Sequence, residues 1–254
     1  MANKPGKHTP YFELVDAQRL AGCSVCRLVH HTTDRYLDSL LYESVLDPEL
    51  REKLKRSHGF CSEHVEMLRN KPGRSLGTAL IYETLLRRVV EVMEEGRLEA
   101  GSLRDRIRGA GSHGRGLGGR LSPDLPCPAC LIKERATQDN LELLIAFMDD
   151  EKLYEAYIEG EGLCLPHLAW AVGLVSDEVI LQRLLQPQIA RYRLLLDDLA
   201  EYIRKSDHRF KHEKLGPEGD VWLRVMNAVT GGAGLGLGRD HNPRRAARWE
   251  QNGE

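Results

Sequence analysis

The chain has 254 residues, a formal net charge of −2 and 29% charged residues, with a mean hydropathy of −0.42. These values are typical of a soluble globular protein that is long enough to bury a core, and they give no general attraction to nucleic acid backbones. Neither a bilayer-length apolar run nor an apolar N-terminal segment is present, so we expect a cytoplasmic protein without a membrane segment.

The first hundred residues have the spacing of amphipathic helices. Residues 1–8 look disordered, and a helix is predicted from Thr9, as its N-cap, to about Leu20, with Pro10 at the first helical position. Gly22 is expected to end this helix just before Cys23 and Cys26. Further helices are predicted to begin near Cys26, Cys61 and Ser75, and one at Pro48, with Asp47 as its cap.

Residues 101–120 interrupt this pattern with seven glycines, five arginines and no aromatic residue. Glycine with arginine also occurs in segments that bind nucleic acid, but aromatic side chains to stack on bases are absent here. We therefore expect an exposed linker between two copies of a helical unit.

The second half repeats the order of helices. Ser176-Asp177-Glu178 is predicted to cap a long helix that Pro187 kinks or restarts. A closing helix is expected from Pro217, with Trp222 as a core anchor. The Gly- and Arg-rich tail, residues 231–254, is expected to be disordered.

No segment shows the alternation of a half-buried strand, so the predicted fold class is all-α, with two pseudo-repeat helical halves and a closing C-terminal helix. The predicted domains are a first repeat (9–98), a linker (99–121), a second repeat with the closing helix (122–230) and the tail (231–254).

Two similar cassettes contain all six cysteines. Each has a Cys-x-x-Cys pair followed by a Cys-x-x-His pair, and the inner ligands are separated by 34 residues in the first copy and 33 in the second. The first cassette is Cys23, Cys26, Cys61 and His64, and the second is Cys127, Cys130, Cys164 and His167. The near-equal spacing indicates a duplication.

Three thiolates and one imidazole suit Zn²⁺ in a closed tetrahedron, and helix starts stabilise thiolate charge. Disulfides explain the pattern poorly, because three cysteines per cassette always leave one thiol unpaired. We predict two structural zinc ions per chain, each held by one cassette. The same donors could hold an iron–sulfur cluster, which remains the alternative.

Other polar residues near these motifs are weaker candidates. His30 and Glu134 lie one helical turn beyond a cysteine and could contact a site, although a polar side chain on an amphipathic helix needs no metal. The run containing Lys205, Asp207, His208, Arg209, His212 and Glu213 could bind an anion, order the closing helix or form a solvated junction.

No catalytic residue is predicted. The glycines of residues 231–238 do not match a phosphate-binding loop, because no strand precedes them and no Lys-Ser/Thr follows. The cysteines, with His64 and His167, are already used as ligands, which leaves no nucleophile with an independent base and acid.

Three features together carry a resemblance to a known family: the two cassettes with their flanking glycines, Cys127-Pro128, and the closing Lys205-x-Asp207-His208-Arg209 with Trp222. The chain resembles an uncharacterised bacterial family with duplicated CxxC/CxxH metal-binding cassettes. The resemblance covers about residues 10–230. It implies the metal ligands and the boundaries of the repeats, and no reaction.

Two functions follow from this pattern. The first is a metal-stabilised helical scaffold, without enzymatic activity, that binds an unidentified protein or small ligand. The second is an iron–sulfur electron carrier or redox sensor. Nucleic acid and membrane partners are disfavoured by the composition.

Overall fold

The computed structural model describes residues 6–100, 113–210 and 212–232, and these residues form helices and turns without a strand. The all-α prediction is therefore confirmed. The helices are α1 (Thr9–Gln18), α2 (Ser24–Glu43), α3 (Pro48–Arg56), α4 (Ser62–Arg69), α5 (Ser75–Ala100), α6 (His113–Arg120), α7 (Pro128–Ala146), α8 (Glu151–Glu159), α9 (Leu165–Leu174), α10 (Glu178–Ser206) and α11 (Val221–Thr230). Within the described residues, every helix falls short of the length or the hydropathy that crossing a membrane requires.

Several helices begin where capping chemistry predicts. The Asp47 side chain accepts a hydrogen bond of 2.7 Å from the backbone N–H of Leu50 at the start of α3. Asp177 caps α10 in the same way, through the N–H groups of Val179 and Ile180. At α1 the prediction was off by one position, because His8 is the N-cap residue and makes no side-chain capping bond.

The chain forms two compact units. The discontinuous unit contains residues 1–31 and 135–254, and the continuous unit contains residues 32–134. The unit boundaries fall inside α2 and α7, whereas the predicted boundary lay in the linker. The two units are therefore not the two consecutive repeats expected from the sequence.

The core of the discontinuous unit is built on α1, α7 and α8. Tyr11 packs against Phe147 with ring centroids 4.9 Å apart, and its hydroxyl donates a hydrogen bond to Asp150, the N-cap residue of α8. Lys7 forms a 2.6 Å ion pair with the same carboxylate. The fully buried side chains of this core include Leu14, Leu141, Leu144, Met148, Leu153, Tyr157, Leu163 and Leu184.

The continuous unit has its own apolar core between α2, α3 and α5. Arg51 of α3 donates a 3.1 Å hydrogen bond to the backbone oxygen of Leu80 on α5, which joins the two helices. Its buried side chains are Leu37, Leu40, Leu41, Val45, Leu54, Phe60, Leu68, Ile81 and Leu85, with Cys127 and Ala129. Each fully buried aliphatic side chain contributes about 1.5–3 kcal/mol of transfer free energy.

Two local predictions were wrong. Residues 113–120 of the expected linker form helix α6. Trp222, the expected core anchor, is 45% exposed, whereas its neighbour Val221 is the buried residue of α11. Of the two outcomes predicted for Pro187, a restart is excluded, because α10 continues through it, and a kink stays a prediction. The predicted disorder of residues 1–5 and of the tail after Gly232 lies outside the described residues, as does the linker at 101–112.

Candidate metal centres

The eight predicted ligands form two groups of four, and the ligand atoms within each group all lie within 4.8 Å of one another. The first ligand group is Cys23, Cys26, Cys164 and His167, and the second ligand group is Cys61, His64, Cys127 and Cys130. Each group joins the Cys-x-x-Cys pair of one cassette to the Cys-x-x-His pair of the other. The predicted pairing within cassettes is therefore wrong, and each group lies inside one compact unit.

Both ligand groups are built from the starts of two helices. In the first group, Cys23 precedes α2 and Cys26 lies in its first turn, while Cys164 is the N-cap residue of α9 and His167 lies in its first turn. Side chains three positions apart share one face of a helix, so each pair converges on one point. The second group repeats this arrangement at the starts of α7 and α4.

The distances within the first group are short and similar. The imidazole Nδ1 of His167 lies 3.4 Å from the Sγ atoms of Cys23 and Cys26 and 3.3 Å from that of Cys164. The Sγ atoms of Cys26 and Cys164 are 3.7 Å apart. Cys23 and Cys164 are buried, whereas Cys26 is partly exposed.

The second group has a comparable geometry. Nδ1 of His64 lies 3.1 Å from the Sγ atom of Cys61, 3.6 Å from that of Cys127 and 3.5 Å from that of Cys130. The Sγ atoms of Cys61 and Cys130 are 3.6 Å apart. His64 is fully buried, and its other ring nitrogen, Nε2, has no hydrogen-bond partner among the described residues.

These distances fit one tetrahedral ion per group. An ion bound to cysteine sulfur at about 2.3 Å separates two tetrahedral sulfur ligands by about 3.8 Å. The sulfur pairs at 3.7 Å and 3.6 Å have this separation. Both histidines present Nδ1 to the sulfurs, which gives each group a fourth donor at the remaining corner.

Because the sulfur atoms of the first group lie close together, the pKa values of its cysteines shift in opposite directions. Hydrogen bonds with Cys164 and Cys26 hold the pKa of Cys23 well below its usual value, whereas bonds with Cys164 and Cys23 raise the pKa of Cys26. Burial depresses the pKa of His167, but its bonds to Cys164 and Cys23 outweigh burial and raise that pKa to about 9. A cation at the centre would stabilise several thiolates together.

In the second group, too, the surroundings shift the pKa values of the candidate ligands. Burial, followed by the hydrogen bond with Cys61, raises the pKa of Cys130 to about 12. Burial lowers the pKa of His64, which favours the neutral imidazole that binds a metal. Three sulfurs and a neutral imidazole nitrogen are a donor set that suits zinc.

A buried glutamine positions the first group, and the sequence analysis did not identify it. Gln188 of α10 is 2% exposed. Its Nε2 donates to the Leu163 oxygen at 3.0 Å, and its Oε1 accepts from the Leu163 N–H at 3.1 Å, beside Cys164. Arg191 donates to the Gly160 oxygen at 2.7 Å, so α10 holds the loop before the Cys-x-x-His pair at two points. A signal was available, because Gln188 follows the buried Leu184 at helical spacing.

The second group is held by a different set of contacts. Gly59 has φ +82°, and a Cβ there would lie 2.9 Å from Leu85, so the loop before Cys61 requires glycine. Lys133 on α7 pairs with Glu63 on α4 at 2.6 Å, which joins the two helices that supply the ligands.

The end of the closing helix reaches the first group. Gly231 follows α11 with φ +91°, and a Cβ at this position would lie 3.4 Å from the Sγ atom of Cys164 and 3.5 Å from that of Cys26. The backbone after α11 therefore packs directly against two candidate ligands.

The other polar residues considered in the sequence analysis are exposed or take part in contacts that order the chain. His30 and Glu134 are exposed, as expected for polar residues on amphipathic helices. Lys205 pairs with the buried Glu218 at 2.7 Å, and Glu218 also accepts a 2.8 Å hydrogen bond from the Gly216 N–H. These contacts order the turn before α11, which was one of the three alternatives for this run.

Residues 10–234 match the family of unknown function DUF6062. The chain belongs to this family. A stretch of 65 residues is also 40% identical to the "Uncharacterized 23.9 kDa protein in xynA 3'region" of Caldicellulosiruptor sp. (strain Rt8B.4), and it covers 26% of this chain and 31% of that relative. The chain thus matches less than a third of the length of that protein. No solved structure matches.

Proposed function

We propose that the chain is a zinc-stabilised helical scaffold that binds a protein or a small ligand and catalyses no reaction. The observation that carries this proposal is the pair of four-ligand groups, each made of three cysteines and one histidine at the starts of two helices. In this arrangement zinc would fix helices in position.

The compactness of each group supports a single ion over a cluster. In an iron–sulfur cluster the cysteine ligands are distributed over two or more irons, which are bridged by sulfide, so that their sulfurs span the whole cluster. Here all four ligand atoms lie within 4.8 Å of one another. The distances therefore favour the zinc scaffold over the electron carrier, and the test below distinguishes the two.

The closed ligand sets support a structural role for the metal. A catalytic zinc site has three protein ligands and leaves one position for water or substrate, whereas four protein ligands complete the tetrahedron. All six cysteines belong to the two groups, so none is left as an independent nucleophile.

The energy of metal binding suits this role. Structural zinc in zinc-finger peptides has apparent binding free energies of about 10–16 kcal/mol, which matches or exceeds the 5–15 kcal/mol stability of a typical protein. Loss of either ion would remove the link between the two helix starts that form its group. The six unpaired thiols also suit a reducing compartment, which is our reason for proposing the cytoplasm.

Metal analysis of anaerobically purified protein, with its absorption spectrum, tests the proposal. Two equivalents of zinc per chain and a colourless solution are expected. Chelation should lower helicity and the midpoint of thermal unfolding. Iron with acid-labile sulfide, and a visible band that dithionite bleaches and air restores, would favour the electron carrier. A folded chain that retains no metal, or turnover of a substrate that survives loss of the ligands, would contradict the scaffold.

A further inference from the structure

Helices α10 and α11 of the discontinuous unit each carry a stripe of exposed apolar side chains. On α10 the side chains recur every seven residues, and on α11 at intervals of four and three, so those of each helix share one face. All six are between 42% and 64% exposed, and continuous apolar patches on soluble proteins commonly mark interaction surfaces. The α10 stripe is Ile189, Leu196 and Ile203, and the α11 stripe is Trp222, Met226 and Val229.

The two stripes lie on the same side of the helix pair. The Tyr192 hydroxyl donates to the backbone oxygen of Ala228 at 3.5 Å. Further along α10, Asp198 accepts from Arg224, which lies earlier on α11, at 2.8 Å, so the helices are antiparallel. Each stripe residue directly follows a buried or half-buried residue of its helix. One residue turns a helix by about 100°, and because the two antiparallel helices face each other, this step turns both stripes to the same side.

The spacing of the α10 stripe is the same in both directions along the helix. Leu196 lies seven residues after Ile189 and seven residues before Ile203. A two-fold axis beside Leu196 would therefore bring this residue against its counterpart in a second chain. The same axis would bring Ile189 of one chain against Ile203 of the other.

The same axis suits the α11 stripe. The two contacts between the helices put Leu196 level with Val225. Trp222 lies three residues before that level and Val229 four residues after it, so the axis would bring Trp222 of one chain opposite Val229 of the other. Met226 would lie beside the axis, next to its counterpart. One symmetry operation thus pairs both stripes and gives four helices around a shared apolar core.

Two charges beside the α10 stripe favour the same arrangement. Arg193 and Asp197 are exposed, and neither has an ion-pair partner among the described residues. They are four residues apart, so they lie on the same edge of the stripe. The two-fold axis brings like edges together and would place Arg193 within about 3 Å, measured along the helix, of the level of Asp197 in the second chain. Symmetry repeats the contact, which gives two ion pairs between the chains.

We propose that two copies of the chain associate through the α10 and α11 stripes, about a two-fold axis beside Leu196. A second copy fits this surface because the register of both stripes and the pair of opposite charges are self-complementary, as a two-fold contact requires. Tryptophan and methionine are also enriched in protein interfaces. The inference goes beyond the proposed function, because the stripes lie outside both ligand groups.

Sedimentation equilibrium of the full-length, zinc-loaded chain tests the proposal. A reversible equilibrium is expected between the 28.7 kDa chain and a species of twice that mass. A protein that stays monomeric at every concentration would overturn the proposal.

A matched pair of variants locates the surface. Leu196→Glu brings two like charges together at the axis and should weaken dimerisation at least about tenfold. Leu194→Glu is the control, because Leu194 is 65% exposed, close to the 64% of Leu196, and lies about 200° away around the same helix. It should leave the dimer intact. Equal effects of the two variants, with unchanged helicity in both, would overturn the assignment of the surface.

A charge exchange tests the register. Arg193→Asp alone brings two carboxylates together across the contact, and Asp197→Arg alone brings two guanidinium groups together, so each should weaken dimerisation about tenfold. The double variant restores opposite charges and should recover the affinity of the original protein. A double variant as weak as either single variant would overturn the proposed register.

Other occupants and the dependence on zinc are separated in the same experiments. Co-sedimentation of a monomeric chain with phosphatidylglycerol vesicles would overturn the dimer in favour of a membrane surface. A monomer that holds two zinc ions contradicts this inference alone. A metal-free, folded chain that dimerises and is dissociated by Leu196→Glu contradicts the zinc scaffold and leaves the two-fold contact in place.

Discussion

Cys26 and Cys164 are 138 residues apart in the sequence, and their sulfur atoms lie 3.7 Å apart. The corresponding atoms of Cys61 and Cys130 lie 3.6 Å apart. Each ligand group therefore takes one pair of ligands from each copy of the duplicated motif. Neither copy contains a complete group, so the two copies depend on each other for both metal centres.

Replacing one ligand tests this pairing directly. Cys61→Ser is expected to lose one zinc equivalent and to expose Cys127 and Cys130 to alkylation by N-ethylmaleimide, because these three cysteines share one group. Cys23 and Cys26 should remain protected. Peptide mass mapping of the labelled chain measures both effects.

The reciprocal variant is the control. Cys164→Ser should expose Cys23 and Cys26 and leave Cys127 and Cys130 protected. Labelling of Cys23 and Cys26 in the Cys61→Ser protein would instead support a site within each cassette, and would contradict the geometry.

The sequence was sufficient to find the ligands and insufficient to pair them. Spacing identifies Cys-x-x-Cys and Cys-x-x-His because both lie within one helical turn, which is a local property. Pairing depends on the path of the chain between them. Helix α2 has 20 residues and rises about 30 Å, whereas α3 has 9 residues and rises about 13 Å. Because α3 is shorter than α2, the chain does not return far enough to bring Cys61 beside Cys26. The Cys-x-x-His pair of the other cassette supplies equivalent ligands.

In the rest of the fold, too, features set by neighbouring residues were predicted, whereas features set by tertiary packing were not. The caps at Asp47 and Asp177 were predicted because the capping side chain and its target are three or fewer residues apart. Trp222 was predicted to be buried from its residue type and Gln188 was not identified, because the positions of both depend on which face of the helix packs inward. The tryptophan is 45% exposed and the glutamine 2% exposed, the reverse of what polarity alone predicts.

Gln188→Ala is expected to destabilise the discontinuous unit. It leaves the N–H and the oxygen of Leu163 buried without their partners, at a cost of about 1–3 kcal/mol for each group. The free energy of unfolding in urea should fall, and the zinc affinity of the first ligand group should fall with it. Gln186→Ala changes an exposed position of the same helix and should be close to neutral. Equal effects of the two variants would contradict a role for the buried amide.

Glu218→Ala is expected to loosen the turn before α11. The carboxylate accepts the Gly216 N–H and pairs with Lys205, and these two contacts, in that order, lower the pKa of Glu218 to about 2. The stabilisation is present above the unfolded pKa and is lost only as the pH falls through the folded value, so it should be constant between about pH 5 and 8. Hydrogen exchange of α11 peptides should be faster in the variant by the same factor across that range. Glu213→Ala, which removes a more exposed pair with Arg204, should have little effect.

Gly231→Ala is expected to weaken the first ligand group specifically. The residue has φ +91°, which non-glycine residues avoid at a cost of about 1–3 kcal/mol. Its new Cβ would be in van der Waals contact with the Sγ atoms of Cys164 and Cys26, so a backbone shift that relieves the strain would displace the chain beside two candidate ligands. Zinc release to a chromogenic chelator should therefore become faster for one of the two equivalents. Gly73→Ala is the matched control, because Gly73 has φ +73° with no heavy atom within 4 Å of the added carbon. It should show backbone strain in the free energy of unfolding without faster zinc release. The same release rate in both variants would show that the contact between α11 and the first ligand group does not affect the metal.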